Sequence, residues 1–78
     1  MTRTDRLSLA AHKAYERAFA WSCAVGVART RPTWISYRGH TPTPDDIRLF
    51  NARRELWLAR GAKLTRRLNS LLKGQLPL

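Results

Sequence analysis

The stretch RPTWISYRGHTPTPDD, residues 31–46, separates two long helical patterns and therefore decides the fold. Pro32 disfavours helical backbone at the residue before it, so the first pattern has to stop near Arg31. Thr43 suits the N-cap of a new helix, and Pro44 suits its first position, where a fixed φ and a missing N–H are harmless. The two aspartates that follow complement the positive end of the helix dipole. The stretch predicts a connection over roughly residues 31–43.

An apolar face upstream of this stretch predicts the first helix over roughly residues 5–30. Thr4 is the expected N-cap, and Asp5 at the first helical position suits the helix dipole. Apolar residues then recur at alternating spacings of four and three, which is the pattern of one helix face. The face comprises Leu7, Ala11, Ala14, Ala18, Trp21, Val25 and Ala28.

A second apolar face predicts a helix over roughly residues 44–73, with Gly74 as a left-handed cap and Pro77 beyond it. Gly61 interrupts this face at a cost of about 1 kcal/mol relative to alanine. We therefore expect a close helix–helix contact at Gly61. The inward residues are Ile47, Phe50, Arg54, Trp57, Gly61, Leu64, Leu68 and Leu71.

Two long helices with one connection predict an all-α, antiparallel helical hairpin that forms a single domain, residues 1–78. A chain of 78 residues buries a modest core, and its single cysteine, Cys23, allows no internal disulfide. We therefore expect two hairpins to pair as a four-helix bundle; alternatively, the connection itself covers the open side. The expected dimer interface consists of Ala14, Ala18, Trp21, Val25, Trp57 and Leu64.

The connection is long for a helical hairpin and unusually aromatic. Residues 33–37 are rich in β-favouring types and could be extended. In one interpretation Trp34, Ile35 and Tyr37 fold back over the open end of the helices. In the other, Trp34 and Tyr37 beside Arg38 anchor a protein partner.

The composition argues against an enzyme and favours a binding protein of the cytoplasm. Glu16 and Glu55, in different helices, are explained by ion pairs with neighbouring basic residues, and His12 and His40 lie too far apart for a metal site. We expect no cofactor. The polar N-terminus does not resemble a signal peptide, and the eleven-residue uncharged run at 18–28 is too short to span a bilayer.

The net charge of +10 attracts nucleic acid, anionic membranes or acidic proteins without choosing among them. Arg53, Arg60 and Arg67 are spaced by seven, with Lys63 beside them, and form a ridge roughly 21 Å long on the second helix. This ridge, together with Trp34, Tyr37 and Arg38, is the predicted partner-binding site. An acidic surface of a host regulatory protein is the favoured partner, and nucleic-acid phosphates are the alternative. The alternative to a binding site is a merely solvated arginine-rich surface. Membrane binding is not expected, because the caps suit a packed bundle.

Three segments carry a resemblance to a known group of proteins: LSLAAHKAYERAFAWSCAVGVART, RPTWISYRGH and TPDDIRLFNARRELWLARGAKL. In size, architecture and composition the chain resembles the quorum-sensing anti-activators of pseudomonad phages, which are small helical hairpins that pair into dimers. The resemblance implies a non-enzymatic inhibitor that binds a host transcription activator. It carries over no individual binding residue.

Overall fold

A computed structural model of the protein describes residues 2–31, 33–35 and 39–75. It contains two helices, α1 (Arg3–Thr30) and α2 (Pro44–Gln75), and no β-strand within the described residues. Trp21 of α1 contacts Phe50 of α2, whereas Tyr15, earlier in α1, lies against Gly61, later in α2. This order of contacts makes the helices antiparallel and confirms the predicted all-α hairpin.

The start of α1 differs from the expectation, because Thr2 and not Thr4 is the N-cap. The Asp5 backbone N–H donates to Thr2 Oγ1 at 3.1 Å, and the Thr2 backbone N–H donates to Asp5 Oδ2 at 3.2 Å. Such a reciprocal capping box needs an acceptor side chain three residues after the cap. Thr2 has Asp5 at that distance, whereas Thr4 would have Leu7. The N-cap prediction was therefore wrong by two residues.

The start of α2 is as predicted. Thr43 precedes the first helical residue, and the Asp46 backbone N–H donates to Thr43 Oγ1 at 3.2 Å. In return, the Thr43 backbone N–H donates to Asp46 Oδ2 at 2.9 Å. The Asp46 side chain is buried, and His40 Nδ1 lies 3.4 Å from the same oxygen. The cap therefore also attaches the end of the connection to α2.

We expect Thr43→Ala to lower the free energy of unfolding by about 1–2 kcal/mol. The substitution removes a cap acceptor and takes one donor away from the buried Asp46 carboxylate. Urea unfolding followed by circular dichroism measures the change. Thr2→Ala is the matched control, since it removes the same type of cap at an exposed site and should cost less. Equal losses in the two variants would contradict the role assigned to burial.

The far end of α2 does not follow the prediction. The helix continues through Gln75, and Gly74 has helical rather than left-handed backbone. Among the described residues the glycine with positive φ is Gly39 in the connection, at 84°. A proline disfavours helical backbone at the residue directly before it, and Gln75 is two residues before Pro77, so helix at Gln75 is allowed. The assignment of Gly74 as a left-handed cap was wrong.

The core lies between the helices and uses small residues on α1. The predicted faces of both helices are buried or half-buried, as expected. Ala14 and Ala18 are each 2 % exposed, and small side chains at these positions allow the helices to approach closely. Gly61 is buried on the facing side of α2, which confirms the expected close contact there.

Phe50 closes the core at the connection end of the hairpin. Its ring is fully buried, 5.6 Å from the Trp21 ring and 6.4 Å from the Trp34 ring. The Trp34 backbone N–H donates to the Arg31 carbonyl at 3.1 Å, so the chain turns directly after α1. Of the stretch 33–37 that could be extended, the structure describes residues 33–35, and no β-strand forms there. Trp34 thus folds back over the open end of the helices, whereas Ile35 is exposed. Tyr37 lies outside the described residues.

Candidate interaction surface

On one side of the hairpin, the Trp57 ring contacts an arginine from each helix. The guanidinium carbon of Arg17, on α1, lies 5.1 Å from the centroid of the Trp57 ring. That of Arg60, one turn further along α2, lies 5.3 Å from it. Guanidinium groups at this distance are attracted by the negative face of the indole. Two cations from different helices are therefore positioned around one half-buried aromatic ring.

A shallow, open groove of about 510 Å³ lies between side chains on one face of α2, next to Trp57. Its apolar lining comes from Leu56, Ala59 and Leu64, and Leu56 is 59 % exposed. Its basic lining comes from Arg60, Lys63 and Arg67. This surface therefore combines an exposed leucine side chain with three positive charges.

The basic side continues onto α1. Lys13 lies four residues before Arg17, which places the two on the same side of the helix. We use the name basic face for the exposed set formed by Lys13, Arg17, Arg53, Arg60, Lys63 and Arg67.

The acidic residues pair elsewhere. The partner of Glu16 is a histidine: Glu16 Oε1 lies 2.9 Å from His12 Nε2. Glu55 Oε1 lies 3.1 Å from Arg54 Nη2. Asp45 forms a salt bridge with Arg48. Within the described parts of the chain, no carboxylate forms a salt bridge with the basic face. These cations are therefore available to an external partner.

The predicted partner-binding residues fall into three groups. Arg53, Arg60, Lys63 and Arg67 lie together on the basic face, as their spacing predicts. Trp34 lies apart from the groove, against Phe50 at the connection end. Tyr37 and Arg38 lie outside the described residues. Arg17 was missed by the sequence analysis, because its place beside Trp57 depends on how the two helices are aligned.

The residues predicted to form the dimer interface fall into two groups, buried and half-buried. Ala14, Ala18 and Val25 are buried between α1 and α2 of a single chain, which leaves little of their surface for a second copy. Trp21, Trp57 and Leu64 are half-buried and keep some accessible surface. Pairing of two chains remains a prediction, and its interface needs residues that the hairpin itself leaves exposed.

Across residues 2–31, 33–35 and 39–75, no three metal-ligating side chains come together. Cys23 is exposed, although it lies in the uncharged run at 18–28. Arg54 Nε is buried without a hydrogen-bond partner, because this arginine occupies a position on the inward face of α2.

A comparison with protein-family models, curated proteins and solved structures finds no match for this chain. Neither helix, within the residues described, has the length and hydropathy needed to cross a bilayer. The chemistry of the basic face is therefore the basis on which a function can be proposed.

Proposed function

We propose that the protein is a non-enzymatic interaction protein whose basic face binds an acidic, amphipathic segment of another protein. The observation that carries the proposal is the groove on α2, where exposed Leu56 lies among Arg60, Lys63 and Arg67. A ligand that satisfies this surface needs apolar side chains for the leucine and carboxylates for the cations.

An amphipathic helix with acidic flanks meets both requirements. Its apolar side chains would cover Leu56 and Leu64, which removes apolar surface from water. Its carboxylates would accept paired hydrogen bonds from Arg60 and Arg67, since a guanidinium matches a carboxylate in shape and charge. The net charge of +10 would accelerate the encounter with an acidic partner.

A host transcription activator is the first partner class to test. The resemblance to phage anti-activators supports this choice, and regulators present acidic or amphipathic segments that a small basic protein can cover. Binding in the groove would mask such a segment and thereby inhibit the regulator without any chemical step.

Nucleic-acid binding is the competing function, because cations from two helices could also contact phosphates. Phosphate contacts make no use of an exposed leucine, however. Leu56 therefore distinguishes the two functions: its truncation should weaken a protein ligand and leave a phosphate-only ligand unchanged.

The test measures fluorescence anisotropy of two labelled probes, an amphipathic peptide with acidic flanks and a DNA duplex, at about 0.15 M salt. We expect the wild-type protein to retain the peptide and to release the duplex. Arg67→Ala should weaken peptide binding about tenfold through the loss of a charge-assisted contact. Leu56→Ala should weaken it about fivefold through the loss of apolar burial.

Arg66→Ala is the matched control for Arg67→Ala. The two arginines are adjacent and exposed on the same helix, but only Arg67 lines the groove. Peptide binding should change less than about twofold in the control, since an exposed charge contributes little. An equal loss of peptide affinity in Arg66→Ala and Arg67→Ala would mean that only net charge matters, and it would refute the groove as the binding site. Duplex binding that persists at this salt and ignores Leu56→Ala would establish the nucleic-acid function instead.

A further inference from the structure

Two positive charges are held near each other at Trp57. The guanidinium carbons of Arg17 and Arg60 lie 5.1 Å and 5.3 Å from the centroid of its ring. They are therefore no farther apart than these two distances together, about 10 Å. Attraction to the indole offsets their mutual repulsion. Both side chains are exposed, and no carboxylate in the described part of the chain forms a salt bridge with either. The free protein thus presents a preformed pair of guanidinium groups.

This pair adjoins the groove on α2, because Arg60 belongs to both. Arg60 lines the groove with Leu56, Lys63 and Arg67, whereas Arg17 reaches the Trp57 ring from α1. A peptide that occupies the groove therefore has a residue within reach of the pair. The inference rests on the proposed function in this respect, since it names the chemical group that such a peptide presents beside Trp57.

An anion that fits two guanidinium groups differs from one that fits a single group. A carboxylate has two oxygens, and one guanidinium occupies both of them in a bidentate pair. A nucleic-acid phosphate is a diester with one charge and two free oxygens, so one guanidinium matches it as well. A phosphate monoester has three acceptor oxygens and a charge of about −1.5 to −2 at pH 7. It accepts hydrogen bonds from two guanidinium groups at once and neutralises both charges.

We propose that Arg17, Trp57 and Arg60 form a subsite for a phosphorylated side chain of the acidic segment that binds in the groove. At Arg60 the phosphate takes the place of a carboxylate, and Arg17 supplies the second guanidinium. Trp57 is a positioning residue, since it holds the two cations and leaves the contact with phosphate to them. Phosphorylation of the partner therefore strengthens its binding to this protein.

The test compares three labelled peptides that share one acidic, amphipathic sequence and carry serine, glutamate or phosphoserine at a position scanned along the acidic flank. Fluorescence anisotropy at about 0.15 M salt gives each dissociation constant. At the best position, we expect phosphoserine to bind about tenfold more tightly than serine, through added charge-assisted hydrogen bonds. Glutamate should gain less than about threefold, because it has one charge and two oxygens. Equal affinities for glutamate and phosphoserine would overturn the inference.

Arg17→Ala separates the subsite from the groove, because Arg17 does not line the groove. The variant should lose the tenfold advantage of phosphoserine and bind the serine peptide within about twofold of the wild-type protein. Arg6→Ala is the matched control. Arg6 is exposed on the same side of α1, about 16 Å from Arg17 along the helix, and its removal should leave the advantage intact. An advantage that falls equally in both variants would reflect net charge alone, contrary to the proposal.

Two substitutions test the positioning role of Trp57. Leucine retains an apolar side chain without an aromatic face, whereas phenylalanine keeps such a face for the cations. Trp57→Leu should lose most of the phosphoserine advantage, and Trp57→Phe should restore part of it, with helicity checked by circular dichroism. The same loss in both variants would contradict positioning by the ring.

Inorganic phosphate distinguishes a failure of this inference from a failure of the proposed function. At millimolar concentration it should shift the side-chain Nε–H resonances of Arg17 and Arg60 in NMR spectra more than that of Arg6. Acetate at the same ionic strength should shift none of them. These shifts without binding of any peptide would refute the proposed function and support the phosphate subsite. Binding of the serine peptide, with neither the shifts nor a phosphoserine advantage, would overturn the subsite and leave the proposed function standing.

Discussion

Phe50→Ala should lower the free energy of unfolding by about 3–5 kcal/mol, the range measured for removal of a fully buried aromatic ring. Phe50 has no exposed surface and packs between Trp21 and Trp34. A domain of this size has a total stability of roughly 4–12 kcal/mol. The variant should therefore be largely unfolded, or close to its unfolding midpoint, under conditions in which the wild-type protein is folded.

Urea unfolding monitored by circular dichroism and tryptophan fluorescence measures this loss, with all variants at one protein concentration. Phe50→Leu retains most of the buried volume and should lose much less than the alanine variant. Leu56→Ala removes apolar atoms from an exposed site and should change stability by less than about 0.5 kcal/mol. A loss below about 1 kcal/mol in Phe50→Ala would show that the ring does not close the core.

The helices were predictable because their signals are local. The cap at Thr43, the proline at position 44 and the spacing of apolar residues all act within a few residues along the chain. The errors at the helix ends were local as well. The pairing of Thr2 with Asp5 follows the capping-box spacing and was recognisable in the sequence.

Contacts between the helices were less predictable, since they depend on the alignment that the connection imposes. The spacing of Arg53, Arg60 and Arg67 placed them on one line of α2. No pattern within either helix shows that Arg17 lies over Trp57. The glycine at position 61 indicated a close approach, but not that Tyr15 makes it.

Which side of α1 faces solvent could not be predicted either, since it also depends on how the two helices are aligned. From Ala18 onward this helix is apolar on more than one side, so periodicity alone does not say which side is buried. In this part of the helix Cys23 and Phe19 are both exposed. That ambiguity is informative, because a helix that is apolar beyond its own core has a second apolar surface to cover.

Gly61→Leu should destabilise the hairpin by about 2–3 kcal/mol, since it forces side-chain volume into a filled contact. A Cβ atom at this position would lie 2.9 Å from Cζ of Tyr15 and 3.0 Å from Cε1, which is closer than carbon atoms tolerate. Gly61→Ala should change stability by less than about 1 kcal/mol. Its gain in helix propensity offsets the displacement of the Tyr15 ring, which is partly exposed and can move outward.

A double-mutant cycle with Tyr15→Ala assigns the effect of Gly61→Leu to this contact. Removing the ring opens the space that the leucine needs. The loss of unfolding free energy in the double variant should therefore be smaller, by about 1–2 kcal/mol, than the sum of the losses in the two single variants. Gly74→Leu is the control, because a Cβ atom there would meet no atom within 4 Å, and the substitution should not destabilise the helix. Additive effects at positions 15 and 61 would mean that the helices do not approach each other at this pair.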